Sequence, residues 1–237
     1  MTVLEIADND FLYQYIAKRR GPEEGKEAYL RGGKSDAGLV AAAAKRLTKR
    51  DKLKVLEFAS GYGRVTRYLV DMMPGCSITA SDIHPEACDF IRDRIGIQAL
   101  RSSTSPAELS VGSGYDFICV LSLFSHLPNR TFVEWLTTLY GLLAPGGVLM
   151  FTTHGEVSKR LFVGIDLEKE EKGPGWTYLR RSDQTDLDLN DYGTMLVTPR
   201  YVLDAIEKCQ GGLLKSFVSG TWFGHQDEWA VERPAPK

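Results

Sequence analysis

Between residues 53 and 155 the chain alternates two rhythms: short apolar runs, then stretches in which apolar residues return at helical spacing. Leu53–Phe58 is the first run, with Glu57 near its end. Gly61 and Gly63 follow, and a helical pattern occupies Gly63–Met73 until Pro74-Gly75 stops it. That order predicts a strand, a tight turn and a helix. Ser77–Ser81 predicts a second strand, Pro85 opens a helix to about Ile95, and a short third strand lies near Ile97–Leu100. Tyr115–Leu121 is a near-continuous apolar run, as in a central parallel strand. A helix from Pro128 to about Leu143 and a strand at Val148–Thr153, entered through Pro145-Gly146-Gly147, complete the alternation. Such alternation predicts an α/β fold with a doubly wound, mostly parallel sheet.

The flanks read differently. The first fifty residues predict a short helix from Phe11, a helix ending at Gly32-Gly33, and an alanine-rich helix over Leu39–Leu47 that Asp36 caps. Periodicity fades over Glu156–Met195, which reads as an insertion over the strand ends. Regularity returns with a helix at Arg200–Cys209 and strands at Leu213–Ser219 and Glu228–Val231. The last two predict an antiparallel hairpin at the sheet edge, with Trp222 and His225 in a loop of roughly eight residues. The expected division is a helical lid (1–50), a core (51–155), an insertion over the active site (156–197) and a closing helix with strands (198–237).

Composition narrows the classes. A formal charge of −2 offers no basic field for nucleic acid or an anionic membrane. Cys76, Cys88, Cys119 and Cys209 form no C-x-x-C pair, and Cys76 and Cys119, expected in buried strands, read as small hydrophobes in a reducing compartment. The first residues hold no apolar signal core, and no run approaches the ~20 apolar residues of a membrane span. A cytoplasmic protein is expected.

Ligands of doubly wound sheets bind outside the carboxyl ends of the strands. Glu57–Gly63, Asp82, Ser102–Ser105 and Ser122–His126 fall there. Gly61 and Gly63 let backbone turn sharply against a ligand. Glu57 is a costly carboxylate unless something hydrogen-bonds it. Asp82, ending the second strand, suits a ribose diol. Together these point to a nucleoside cofactor. Thr66 stands where a dinucleotide fingerprint requires its third glycine, which counts against an NAD-dependent oxidoreductase.

E-x-A-x-G-x-G at Glu57–Gly63, Asp82, YDFICVLSLFSHL at Tyr115–Leu127 and LLAPGGVLMFTTHG at Leu142–Gly155 resemble the class I S-adenosylmethionine-dependent methyltransferases. The resemblance implies a Rossmann-like, seven-stranded sheet with an antiparallel C-terminal hairpin strand, and S-adenosyl-L-methionine as cofactor. It places Gly61 and Gly63 close to the methionine part, with Glu57 supporting that end of the turn, and counts Phe58, Ala59, Ser60 and Arg64 among the cofactor-binding residues, Arg64 reading equally as a solvated arginine at the helix start. Asp82 would take two ribose hydroxyls and Ile83 would pack on the adenine. Ser103 or Thr104 would reach the adenine amine, and Leu121, Ser122 and Leu123 would lie beside the methyl. Ala59 replaces the family's usual glycine and is tolerated if its φ is negative. F-S-H-L, T-T-H-G and the late H-Q-D more narrowly resemble bacterial methyltransferases found beside glycosyltransferases. That implies a sugar or other small-molecule hydroxyl as acceptor and a possible glycosyltransferase partner. A non-catalytic, cofactor-binding subunit is the alternative.

An oxygen acceptor gains from a general base, and histidine suits that role. His154 and His126 follow strands and are the candidates, with His225 beside Asp227 a third. Trp176, Tyr178 and Tyr192 could stack on a sugar ring, and Tyr29 could cover the cofactor. The acidic run Asp183–Asp191 lacks the glycine and terminal glutamate of a calcium loop and reads as solvated, so no metal is expected.

Overall fold

The computed structural model describes residues 2–162 and 164–236 and resolves into two compact units. The first comprises Met1–Ser103 and Leu109–Cys119; the second comprises Thr104–Glu108 and Val120–Lys237.

The first unit opens with helices α1 (Phe11–Arg20) and α2 (Pro22–Thr48). The predicted stop at Gly32-Gly33 and the cap at Asp36 do not occur, because α2 runs unbroken through both. Tyr29, Gly33, Ala37, Val40, Ala44 and Leu47 recur at helical spacing on its buried face. Gly33 is there for closeness: a Cβ would lie 2.3 Å from the Arg64 carbonyl oxygen. Asp36 pairs with Arg64 instead of capping. Strand β1 (Lys54–Phe58), helix α3 (Thr66–Met72), strand β2 (Ser77–Asp82), helix α4 (Pro85–Phe90) and strand β3 (Gln98–Arg101) follow as the pattern predicts. A π-helical turn, Ile91–Ile95, extends α4. With β4 (Tyr115–Val120) the strand order is β3-β2-β1-β4, and β1–β2 and β2–β3 are parallel. Ala80, Cys88, Ile91, Ile97 and Ala99 pack as one apolar cluster beneath this edge.

The second unit contains α5 (Asn129–Gly141), β5 (Leu143–His154), α6 (Glu156–Lys159), β6 (Glu171–Gly173), β7 (Trp176–Leu179), β8 (Thr194–Val197), α7 (Pro199–Ile206), β9 (Leu213–Trp222) and β10 (Gln226–Glu232). Phe124 packs edge-on to Phe132 and tilts against Phe151, at 5.0 and 4.9 Å between ring centres. β10 runs antiparallel to both β5 and β9, so the C-terminal hairpin is present with β10 inside it. Trp222 belongs to β9, which corrects its placement in a loop; the connection is residues 223–225. The segment 156–197 is also more regular than its sequence: β5, β8, β7 and β6 lie in that order, with β8 parallel to β5 and β7 antiparallel to both its neighbours. The described residues therefore form ten strands, three more than expected. The protein has a Rossmann-like α/β fold. No helix among the described residues is long and apolar enough to cross a membrane.

Candidate functional site

In the first unit the turn after β1 is built from three left-handed residues: Ala59 at φ +59°, Gly61 at +54° and Gly63 at +72°. The condition set for Ala59, a negative φ, is not met. Its side chain stands in a conformation that costs an L-residue about 1–2 kcal/mol. Gly63 is favoured by its φ of +72°, and a Cβ there would also push the Ile95 side chain aside, lying 2.5 Å from its Cδ1. A Cβ on Gly61 would meet nothing within 4 Å, so that side of the turn faces open space. Ser60 N–H donates to the Ser81 carbonyl at 3.0 Å and pins the turn to the end of β2.

Asp82, 6% exposed, accepts from Gly61 N–H at 2.7 Å through Oδ2, and through Oδ1 from His84 N–H at 3.1 Å and the His84 ring at 2.9 Å. A carboxylate has about four acceptor positions, so one remains on Oδ2. The expected pair of ribose hydroxyls therefore requires the His84 ring to yield a place. Glu57 is buried and accepts from Thr66 Oγ1 at 2.6 Å. Burial pushes its carboxyl up to about 7, against the lowering by Thr66 and Arg64. Arg67, 2% exposed, donates through Nε to Gly63 O at 2.9 Å and through Nη2 to Tyr62 O at 3.1 Å. Its Nη1 donates to the carbonyls of Val3 and Glu5, so the leading segment is bound to the turn. The contacts of Thr66, Arg67 and His84 leave no mark in the sequence pattern, because they close only in the fold. Phe58 is buried, while Ile83 and Ser103 are half-buried. Tyr29 has no exposed surface, and its hydroxyl donates to Asp10, so in this structure it packs rather than covers.

The second unit gathers His126, His154 and His225. Their ring centres lie 5.9 Å (126–154) and 5.4 Å (154–225) apart. His126 Nδ1 is 2.6 Å from the Gly193 carbonyl oxygen. A carbonyl only accepts, so Nδ1 carries the proton and Nε2 keeps the lone pair. Tyr192 stacks on the same ring at 4.4 Å and 12°. Gly193 N–H donates back to His126 O at 3.0 Å, and Arg130 pairs with Asp191 and donates to Asn190 O. Part of the acidic run is therefore a bonded shoulder for His126, and not simply a solvated loop. Burial holds the His126 imidazole below its ordinary value, so it is neutral near pH 7.

His154 is bound differently. Gln226 Nε2 stands 3.3 Å from His154 Nε2, and an amide nitrogen can only donate, so that lone pair is taken. His154 Nδ1 is buried with no hydrogen-bond partner. Burial, then His126 and His225, hold it down at about 3. Gln226 Oε1 accepts from Thr152 Oγ1 at 2.7 Å, and Gln226 Nε2 donates to Ser122 Oγ at 3.0 Å. Ser122 sits at φ +62°, with its N–H on Thr152 Oγ1 at 2.8 Å. His225 meets Ser158 Oγ at 3.1 Å, whereas Asp227 Oδ1 accepts from Ser219 and Gly220, so the expected His225–Asp227 pair does not form. Leu121 and Leu123 are half-buried beside Ser122, and Thr104 is exposed. Tyr178 is buried and donates to Leu189 O, and Trp176 lines a cleft whose lining contains none of the three histidines. Among the described residues no three His, Cys, Asp or Glu side chains are arranged to hold a metal ion.

Residues 56–149 match the family described as a methyltransferase domain. A malonyl-[acyl-carrier protein] O-methyltransferase of Bacillus cytotoxicus is 30% identical over 136 residues, 56% of this chain and 47% of that protein. The chain spans less than half the length of the curated relatives it matches. A solved S-adenosylmethionine-dependent methyltransferase from Clostridium acetobutylicum superposes with TM-score 0.62 at 12% identity, over 94% of this chain and 99% of that one. An amino pentose methyltransferase from Micromonospora echinaspora, solved with S-adenosylmethionine bound, gives 0.63 at 17% identity, over 87% and 95%. At these identities the two structures speak for the fold.

Proposed function

We infer that the chain is a class I S-adenosylmethionine-dependent methyltransferase with S-adenosylmethionine as its cofactor, a reading that the methyltransferase-domain match over residues 56–149 supports. The turn fits that group, with open space at Gly61 and an acceptor position left on Asp82. Ser60, Gly61, Gly63 and Asp82 would hold it, and when bound it supplies a sulfonium methyl as the electrophile.

The chain's own part is to orient a nucleophile and, for a hydroxyl, to take its proton. His126 carries the reading that this is an O-methyltransferase acting on a small hydroxyl-bearing acceptor such as a sugar. The single observation behind it is the 2.6 Å contact from His126 Nδ1 to the Gly193 carbonyl. That bond fixes the tautomer, and burial keeps the ring neutral, so Nε2 can accept a proton at pH 7. His154 is the weaker base because its Nε2 is engaged by Gln226 and its proton affinity is far below neutral pH. The O-methylation named for the Bacillus cytotoxicus relative supports an oxygen acceptor, and the amino pentose methyltransferase supports a sugar-sized one.

The test is His126→Gln, which keeps size and one hydrogen bond but cannot accept the proton. Turnover should fall about 10²–10⁴-fold while S-adenosylhomocysteine binding is kept. The acid limb of kcat/KM in the parent should lie below the ordinary histidine value. Turnover in His126→Gln within about threefold of the parent would remove the base from the mechanism and leave alignment alone.

A further inference from the structure

A cleft of about 170 Å³ in the second unit is lined by Lys159, Lys172, Trp176, Thr177 and Thr198, with glycine backbone at 173 and 175 and an apolar floor of Leu196 and Val197. Among the described residues no carboxylate lines it. Ligand pockets for drug-sized molecules run to about 300–1,000 Å³, so this one suits a single ring with one small charged group and is too small for a whole cofactor. Its aromatic wall is held in place. The Trp176 indole lies against Gly173, where a Cβ would fall 2.5 Å from Nε1. Thr198 caps α7 by accepting from Tyr201 N–H at 3.3 Å. Lys159 pairs with Glu156 at 2.8 Å and Lys172 pairs with Glu168. Both are short-range surface pairs, worth about 0–1 kcal/mol each, so either ammonium can turn to a better-placed anion at little cost.

The cleft lies close to the histidine group. Leu196 in its floor is the register partner of His154, and Thr177 in its wall is the partner of Leu196. Neighbouring strands stand about 4.8 Å apart. We propose that this cleft is an acceptor subsite that binds an oxyanion, a phosphate or carboxylate, carried on a sugar-sized body. Lys159 and Lys172 meet the charge, Trp176 packs on the ring face, and the Thr177 and Thr198 hydroxyls take its polar edge. The assignment rests on the histidine group being the acceptor end of the site, and it makes the preferred acceptor an anionic sugar rather than a neutral one.

Tryptophan emission reads this directly. Trp135, Trp222 and Trp229 are buried, and Trp176 is the half-exposed member of the four. The protein is titrated with a hexose monophosphate, a hexuronate and a neutral hexose, with Trp176→Phe as the signal control. Saturable quenching by either anion, lost in Trp176→Phe and at least about tenfold weaker in Lys159→Ala/Lys172→Ala, supports the subsite. Absence of saturable quenching by both anions overturns it, and so does an equal affinity for the neutral hexose. Unchanged anion affinity in the double variant, or in the surface variant Lys172→Glu, also overturns it. S-adenosylhomocysteine binding is measured on the same samples. If it persists where the anions fail, the subsite falls and the methyltransferase reading stands.

Discussion

Ala59 offers a sharp test of the turn, because its side chain sits at φ +59° where glycine costs nothing. Replacing it with glycine removes about 1–2 kcal/mol of left-handed strain. Glycine gives back about 0.5–1 kcal/mol through the freer unfolded chain, and loss of a half-buried methyl costs about 0.4 kcal/mol. The midpoints leave about 0.4 kcal/mol in favour of Ala59→Gly, which for a chain of this size raises Tm by about 1 °C. Ala59→Val moves the other way, since a β-branched residue at positive φ is a true outlier. Its fall in Tm should exceed the rise given by glycine, with weaker S-adenosylhomocysteine binding if the turn shifts. Scanning calorimetry of the three proteins, with and without S-adenosylhomocysteine, decides. A lower Tm for Ala59→Gly, or a Tm for Ala59→Val equal to that of the parent, would refute the reasoning.

Three further outcomes follow from the same geometry. Glu57 binds its proton more tightly folded than unfolded, so its contribution to stability is complete below about 4.5 and lost as pH rises through about 7, a change of about 3 kcal/mol; Glu57→Gln should flatten that slope in urea unfolding at pH 5 and 8, and an unchanged slope would count against it. His154 has the opposite sign: its proton affinity is lowered, so stability present above about 6.5 is lost as pH falls toward about 3, and His154→Gln should unfold less readily at pH 5 than the parent. A Cβ at Gly193 would lie 2.4 Å from Leu179 O and 2.7 Å from the Tyr178 ring. Gly193→Ala should therefore lose about 1–3 kcal/mol and most turnover while still binding S-adenosylhomocysteine; full activity would detach the loop from His126.

The alternating core was legible because each buried strand announces itself as an apolar run bounded by Gly or Pro. Elements were missed where stabilisation comes from distant partners. Gly32-Gly33 looks like a helix stop, yet serves a close approach to Arg64, whose position no local pattern reveals. Strands β6 to β8 are three or four residues long and acquire their regularity from pairing with one another and with β5. The site divides the same way. Asp82 and the two glycines stand out by position along the chain. The choice between His126 and His154 rested on Gly193 and Gln226, 67 and 72 residues away, each supplying one hydrogen bond.

Arg67 has a consequence in time as well as space. Its guanidinium holds the carbonyls of Val3 and Glu5, 64 and 62 residues upstream. A ribosome adding about 5–20 residues per second makes those two carbonyls several seconds before the arginine that will bind them. During that interval the leading segment has no clamp, and α1 and α2 can form without it. The turn after β1 and the segment that braces it are thus completed together, about midway through the synthesis of the first unit, by one side chain arriving.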